Sequence, residues 1–416
     1  MFIKLSADDR GDHAALATHS CPKLALASPT LGGELPCDDF YPGEITRMFP
    51  SDLPITARIR PDVRAMHAYV VQNACGMVKL DAMENPHQLS PALQEELGQR
   101  LGALALNRYP DGRVNDLRCA LARHADLPDG FDLMLGNGSD ELISLLALAC
   151  ALPPTASNAY QKACVLAPIP GFVMYAMSAQ LQGLDFVGVP LTADFELDLP
   201  AMLAAIHQHQ PALTYLAYPN NPTANLWSDA AMEAVIAAAG EQGGLVVIDE
   251  AYQPFAAKSY IDRLTRHPHV LLLRTLSKFG LAGVRLGYLC GPQPLIGQID
   301  KVRPPYNVSV LNCEAALFAL EHEEVFKAQA LDVVAQRAIV VDTLRHLAKV
   351  QVFPSEANMI LLRVPDADKT FDGMKAHGVL IKNVSKMHPL LNNCLRLTIG
   401  TAAENRQMLA ALKVSL

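Results

Sequence analysis

The feature that most constrains this chain is a series of short, nearly continuous apolar runs separated by segments of helical period. The runs fall at 132–136, 163–167, 183–190, 212–218, 244–249, 270–276 and 285–290. Helical patterns lie between them, among them 139–151, 198–209 and 228–241, the last opening on Ser228 and Asp229. A strand that is apolar at nearly every position has no face for water. Such strands alternating with helices predict a mainly parallel seven-stranded sheet sandwiched by helices, an α/β fold.

The flanks differ from this centre. Residues 1–52 are rich in Asp, Pro, Gly, Ser and Thr and show little periodicity. They predict a poorly ordered N-terminal extension, or an upstream start ahead of Met48, with no identifiable chemistry. Ser90-Pro91 opens a helix through Ala105, with Ser as N-cap and Pro at the first helical position. After 311 a long helical stretch, 312–347, leads to a βαβ-like tail. These patterns predict a large domain over 111–311 and a smaller α/β domain built from 53–110 together with 312–416.

Composition excludes several classes. The 416 residues carry a net charge of −8 without a strongly basic region, which argues against nucleic acid as the main partner. No apolar run approaches the ~18 residues of a membrane span, and the N-terminus lacks the apolar core of a secretory signal. Nine cysteines without C-x-x-C spacing suit reduced core positions, and a cytoplasmic location is expected. His207/His209 and His267/His269 lack the i, i+4 spacing of a helical zinc pair, so no metal is expected.

In an open α/β sheet, ligands bind beyond the carboxyl ends of the strands. Val270–Leu273 leads to Lys278 in Arg274-Thr275-Leu276-Ser277-Lys278-Phe279-Gly280, with Arg285 seven residues on among glycines. A desolvated amine beside a guanidinium that can clamp phosphate is what pyridoxal phosphate chemistry needs. Leu245–Ile248 runs into Asp249-Glu250-Ala251-Tyr252, and a carboxylate there could hold a pyridinium N–H or simply cap a turn. A Walker-B reading needs G-x-x-x-x-G-K-[ST], which the chain lacks. Tyr218-Pro219-Asn220-Asn221-Pro222 presents Asn221 on a proline-locked turn, where its amide could donate to a ring oxygen. Gly136-Asn137-Gly138-Ser139 joins a strand to a helix whose first amides could cradle a phosphate. Each residue alone has an ordinary structural reading. Together they arrive in one order on successive strand ends.

That order resembles the fold-type I pyridoxal phosphate aminotransferases of class I/II, over about residues 55–416. Within the family, Val78-Lys79-Leu80-Asp81-Ala82-Met83-Glu84-Asn85-Pro86, Asn107-Arg108-Tyr109-Pro110 and Cys394-Leu395-Arg396-Leu397-Thr398 are most similar to the histidinol-phosphate aminotransferases. The resemblance implies that Lys278 bonds the cofactor and shuttles a proton. It implies that Asp249 pairs the ring nitrogen and that Tyr252 and Asn221 bind the 3-oxygen. Arg285, Ser277, Thr275, Gly138 and Ser139 would hold the phosphate. Tyr109 would reach the phosphate of a neighbouring subunit, making a homodimer. Phe172 is the preferred ring-stacking residue, with Tyr175 second. Arg396 would bind the substrate anion, helped by Tyr69.

Three departures stand out. Ala224 occupies a position where many relatives have Gly. The Lys278–Arg285 spacing is one residue tighter than in many class I enzymes. Lys382 stands where relatives often place a second phosphate-binding Arg, keeping the charge but losing the fork. The expected reaction is amino transfer between histidinol phosphate and 2-oxoglutarate. Aromatic transamination and decarboxylation of a phosphorylated amino acid are the alternatives. A non-enzymatic binding module is disfavoured by the intact Asn221, Asp249, Lys278 and Arg285.

Overall fold

The computed structural model describes residues 58–66, 71–151 and 163–416. The expected extension at 1–52 and Tyr69 lie outside the described residues. The strands, in chain order, are β1 (Val78–Lys79), β2 (Phe131–Gly136), β3 (Cys164–Ile169), β4 (Asp185–Pro190), β5 (Leu213–Ala217), β6 (Leu245–Asp249), β7 (Val270–Thr275), β8 (Gly287–Pro292), β9 (Gln351–Val352), β10 (Met359–Arg363), β11 (Val379–Leu380), β12 (Lys382–Asn383) and β13 (Cys394–Thr398).

β2 to β8 form one seven-stranded sheet in the order β2-β8-β7-β6-β5-β3-β4. Its central strands explain the unbroken apolar runs. Val246, Ile248 and Leu272 face one hydrophobic cluster, whereas Val247, Leu271 and Leu273 face the other. Alternate side chains enter opposite layers, so nearly every position is buried, each buried side chain contributing about 2 kcal/mol of apolar transfer.

The direction of β8 departs from a simple reading of successive strand ends. β8 runs antiparallel to both β7 and β2, while the pairings among β3 to β7 are parallel. Gly287, the first residue of β8, therefore lies opposite Thr275 and Gly136, the last residues of β7 and β2. Arg285 reaches the carboxyl edge by preceding a reversed strand, not by following a parallel one. The expected strand at 285–290 begins at Gly287 because Arg285 is left-handed, with φ 53°. Likewise the run at 183–190 starts at Asp185, because Gly183 caps the preceding helix in the left-handed region.

The C-terminal part is not βαβ. β10 pairs antiparallel with β13, which pairs antiparallel with β12, in the order β12-β13-β10-β9. β11 pairs parallel with β1, Val379 lying opposite Val78. Periodicity marks strands but carries no information about partners. The long helical stretch is two helices, Val310–Glu321 and Glu323–Arg345, broken at His322 (φ −106°, ψ 28°). Ser309 caps the first, accepting from Asn312 N, and Glu323 and Glu324 complement the dipole of the second. The Ser90-capped helix runs over Pro91–Gly102, with Leu93 N donating to Ser90 Oγ. It ends at a glycine, short of Ala105.

Candidate active site

The segments at the carboxyl ends of β2, β3, β5, β6 and β7 send side chains to one cavity. Its lining includes Ser139 and Asp140 after β2, Phe172 and Tyr175 after β3, Asn221 after β5, Asp249 and Tyr252 at β6, and Thr275, Ser277, Lys278 and Arg285 around β7 and β8. Lys278 lies in a single wide helical turn, Ser277–Leu281, directly after β7. Its Nζ donates to the Ala82 carbonyl at 3.1 Å and sits 5.7 Å from the centre of the Tyr252 ring. Burial, reinforced by the nearby Arg396 charge, lowers the Lys278 pKa to about 8.

Asp249 ends β6 and is 4% exposed. Its Oδ2 accepts from Tyr175 Oη at 2.7 Å and its Oδ1 from Ala251 N at 3.0 Å. Burial raises its pKa to about 6, against the pull of these two donors. Glu250 turns the other way, pairing with Arg274 at 2.9 Å inside the protein. The Asp-Glu pair thus splits into one carboxylate for the cavity and one for the structure. Asn221 Nδ2 donates to Tyr252 Oη at 3.0 Å, and Asn221 Oδ1 accepts from Arg396 Nη1 at 2.7 Å.

The residues around the start of the helix after β2 could hold an anion. The first amides of the helix Gly138–Cys150 have no intrahelical acceptor, and its N-cap residue supplies no side-chain one. Gly138 has φ +77°, and a Cβ there would lie 2.8 Å from Arg285 Nη2. A Cβ on Gly287 would lie 2.7 Å from the backbone of Gly138 and Ser139. Two glycines therefore let loop, strand and guanidinium crowd together. Arg285 Nη1 donates to Ser277 Oγ at 3.2 Å, and its Nη2 lies 3.4 Å from Asp140. Thr275 Oγ1 donates to Leu286 O and accepts from Ser277 N, each at 3.1 Å. An anion at the helix start and a cationic ring N–H at Asp249, with an amine beside both, is the donor set that pyridoxal phosphate fits.

Arg396, 7% exposed, is held by Asn221 and by the Asp81 carbonyl at 2.9 Å. Lys382 on β12 is its direct cross-strand partner, so both side chains leave the same face of the sheet. Tyr109 does not join this cavity. It is 77% exposed and stacks on Tyr306 at 4.7 Å.

A model of the family "Aminotransferase class I and II" matches residues 76–412. The chain belongs to this aminotransferase family. It is 71% identical to the histidinol-phosphate aminotransferase of Polaromonas naphthalenivorans over 358 residues, covering 86% of this chain and 96% of that protein. It is 69% identical to the enzyme of the same name from Methylibium petroleiphilum, covering 85% of this chain and 94% of the other. Among solved structures it is similar to histidinol-phosphate aminotransferase from Sinorhizobium meliloti in complex with pyridoxal-5'-phosphate. That likeness has a TM-score of 0.74 at 26% identity, covering 86% of this chain and 97% of the other. The seven-stranded sheet is thus that of a fold-type I aminotransferase.

Two features of this aminotransferase escaped sequence reasoning. Tyr175 donates to Asp249 and is stacked on Tyr215 at 4.3 Å, while Phe172 lines the same cavity without a hydrogen bond to that carboxylate. The three-residue spacing of Phe172 and Tyr175 on one helix start was the available signal. The main chain of Asp81–Met83 also enters the site. Its carbonyls receive Arg396 and Lys278, and Met83 N donates to Thr398 Oγ1. Backbone acceptors leave no residue-type signature.

Proposed function

We propose that this chain is a pyridoxal phosphate-dependent transaminase that moves an amino group between histidinol phosphate and 2-oxoglutarate, yielding imidazole-acetol phosphate and glutamate. The observation that carries the reading is Arg396, fixed at 2.7 Å by Asn221, a residue of the cavity that also holds Lys278 and Asp249. A buried guanidinium there serves the phosphate of one substrate and the carboxylate of the other. Lys382, on the same sheet face, adds a second positive charge suited to a dianion.

The cofactor, when bound, supplies an electron sink for the bonds at the substrate α-carbon. The chain's own residues do the rest. Asp249 holds the ring N–H, kept in orientation by Tyr175 and Ala251 N. Asn221 and Tyr252 would bind the ring oxygen, and Phe172 would pack on the ring. Gly138, Ser139, Thr275, Ser277 and Arg285 hold the phosphate. Lys278 would hold the cofactor's reactive carbon, and its Nζ would take the substrate α-proton, a task suited to an amine with a pKa of about 8.

The same proposal includes a homodimer, because Tyr109 is exposed, does not line its own cavity and suits the phosphate of a neighbouring subunit. It places a large domain at 111–311, with 53–110 and 312–416 forming the small one. It places the protein in the cytoplasm, consistent with the free buried thiols of Cys164, Cys290, Cys313 and Cys394. Among the described residues no helix is long and apolar enough to cross a membrane.

A half-reaction screen tests the reading. Histidinol phosphate, glutamate, phenylalanine and O-phosphothreonine are added singly to the cofactor-loaded protein, and loss of the lysine-bound cofactor absorbance is followed. Histidinol phosphate and glutamate are expected to bleach it fastest. Preferential bleaching by phenylalanine, or carbon dioxide release from O-phosphothreonine, would replace the proposed substrate.

A further inference from the structure

The turn Gly136-Asn137-Gly138 must hold the first amides of the helix Gly138–Cys150 toward an anion, yet Asn137 makes no side-chain cap of that helix. What holds the turn comes from elsewhere. Glu141, one turn into the helix, reaches back so that its Oε2 accepts from Asn137 N at 2.7 Å. The same oxygen accepts from Asn307 Nδ2 at 2.8 Å. Asn307 also grips the turn in the other direction, its carbonyl accepting from Asn137 Nδ2 at 2.7 Å. Arg303 Nη1 donates to Asn307 Oδ1 at 2.9 Å, fixing the amide so that its NH₂ faces Glu141.

A carboxylate one turn from a bound phosphate is electrostatically unfavourable. Its presence is explained if the donors gathered on it set the shape of the turn. Neither Glu141, Asn137 nor Asn307 lines the cavity. Their effect on a ligand runs through the backbone they hold. Asn307 follows Tyr306, a residue with φ 58° whose ring stacks on Tyr109. The loop that clasps the turn therefore also carries the partner of the tyrosine assigned above to the neighbouring subunit.

We infer that Asn307 and Glu141 are positioning residues that clasp the Gly136–Gly138 turn and so aim the helix amides at the cofactor phosphate. The inference rests on the pyridoxal phosphate reading of the site and deepens it. It makes a distinctive demand, because only the phosphate end of the cofactor should sense the clasp.

The experiment compares binding of pyridoxal phosphate and of pyridoxal, which lacks the phosphate, to the cofactor-free protein by absorbance titration. Asn307→Ala and Glu141→Ala should weaken pyridoxal phosphate roughly 5- to 30-fold, the loss of one or two hydrogen bonds. Pyridoxal should change less than about 2-fold, because its contacts are at the other end of the cavity. Glu141→Gln, which keeps the acceptor for Asn137 N, should recover most of the loss. If Asn307→Ala does not fold, Asn307→Asp carries the same test, since it keeps the size and loses the donor to Glu141. Equal weakening of both ligands, or no weakening of either, overturns the inference. A wild-type protein that binds pyridoxal phosphate no better than pyridoxal would instead overturn the functional reading, before any variant is compared.

Discussion

Lys278 and Asp249 show how one burial does opposite things to two groups. Removing water disfavours charge, so the amine falls to about 8 and the carboxyl rises to about 6. A neutral amine is the nucleophile, so capture of pyridoxal phosphate by the cofactor-free protein should accelerate as pH rises through about 8 and level off above it. Borohydride trapping at timed intervals measures this. Lys278→Ala should trap no adduct, and an adduct on another lysine would refute the assignment. For Asp249 the folded pKa lies above the ordinary 3.8. Its contribution to stability is therefore present below about 4 and lost as pH rises through about 6. Tyr175→Phe removes the donor that opposes this rise. The acid limb of the turnover profile should move up by roughly one to two pH units, the worth of a hydrogen bond to a charged group. Rates at pH 8 should change far less, and an unmoved acid limb would remove Tyr175 from the mechanism. The sequence offered Phe172 and Tyr175 three residues apart on one turn, but not which of them Asp249 had claimed.

At the scale of elements, the site depends on a strand running the wrong way. Reversing β8 brings Gly287 against the backbone of Gly138 and Ser139, where a Cβ would meet main-chain atoms at 2.7 Å. Backbone cannot step aside as a flexible side chain can. Gly287→Ala should cost about 1–3 kcal/mol of stability by denaturant titration and weaken pyridoxal phosphate as well. Unchanged affinity would show that the loop and β8 are not mechanically joined. Ala224 is a milder case. It adopts φ 65°, so Ala224→Gly should relieve backbone strain by about as much as it adds chain entropy. Its melting temperature should stay within a few degrees of wild type. The individual elements were largely legible beforehand, since burial on two faces writes an unbroken apolar run and Ser90-Pro91 writes a helix start. The break at His322 was not, because helical period continues on both sides of it.

For the whole molecule, the decisive question is whether sites are shared between subunits. If Tyr109 serves its neighbour, mixing Lys278→Ala with Tyr109→Ala subunits creates hybrids in which one site has both groups intact. After dissociation and reassociation of equal amounts, activity should recover to roughly a quarter of wild type, since about half the dimers are hybrids with one good site each. No recovery from two inactive parents would place Tyr109 within its own subunit's function or outside catalysis.

Local physics let the sequence by itself place the strands of the seven-stranded sheet, several helix starts and the polar residues that follow those strands. Lys278, Asp249, Asn221 and the Gly138–Ser139 turn were all readable because each stands where an apolar run ends. Only the tertiary structure decided what those residues meet. Arg396 bonds Asn221 across 175 positions, Asn307 clasps a turn 170 positions away, and β11 completes a sheet with β1. Such contacts depend on strand order and direction. A period of 2 or 3.6 residues reports which face of an element is buried, and carries no record of the element that buries it.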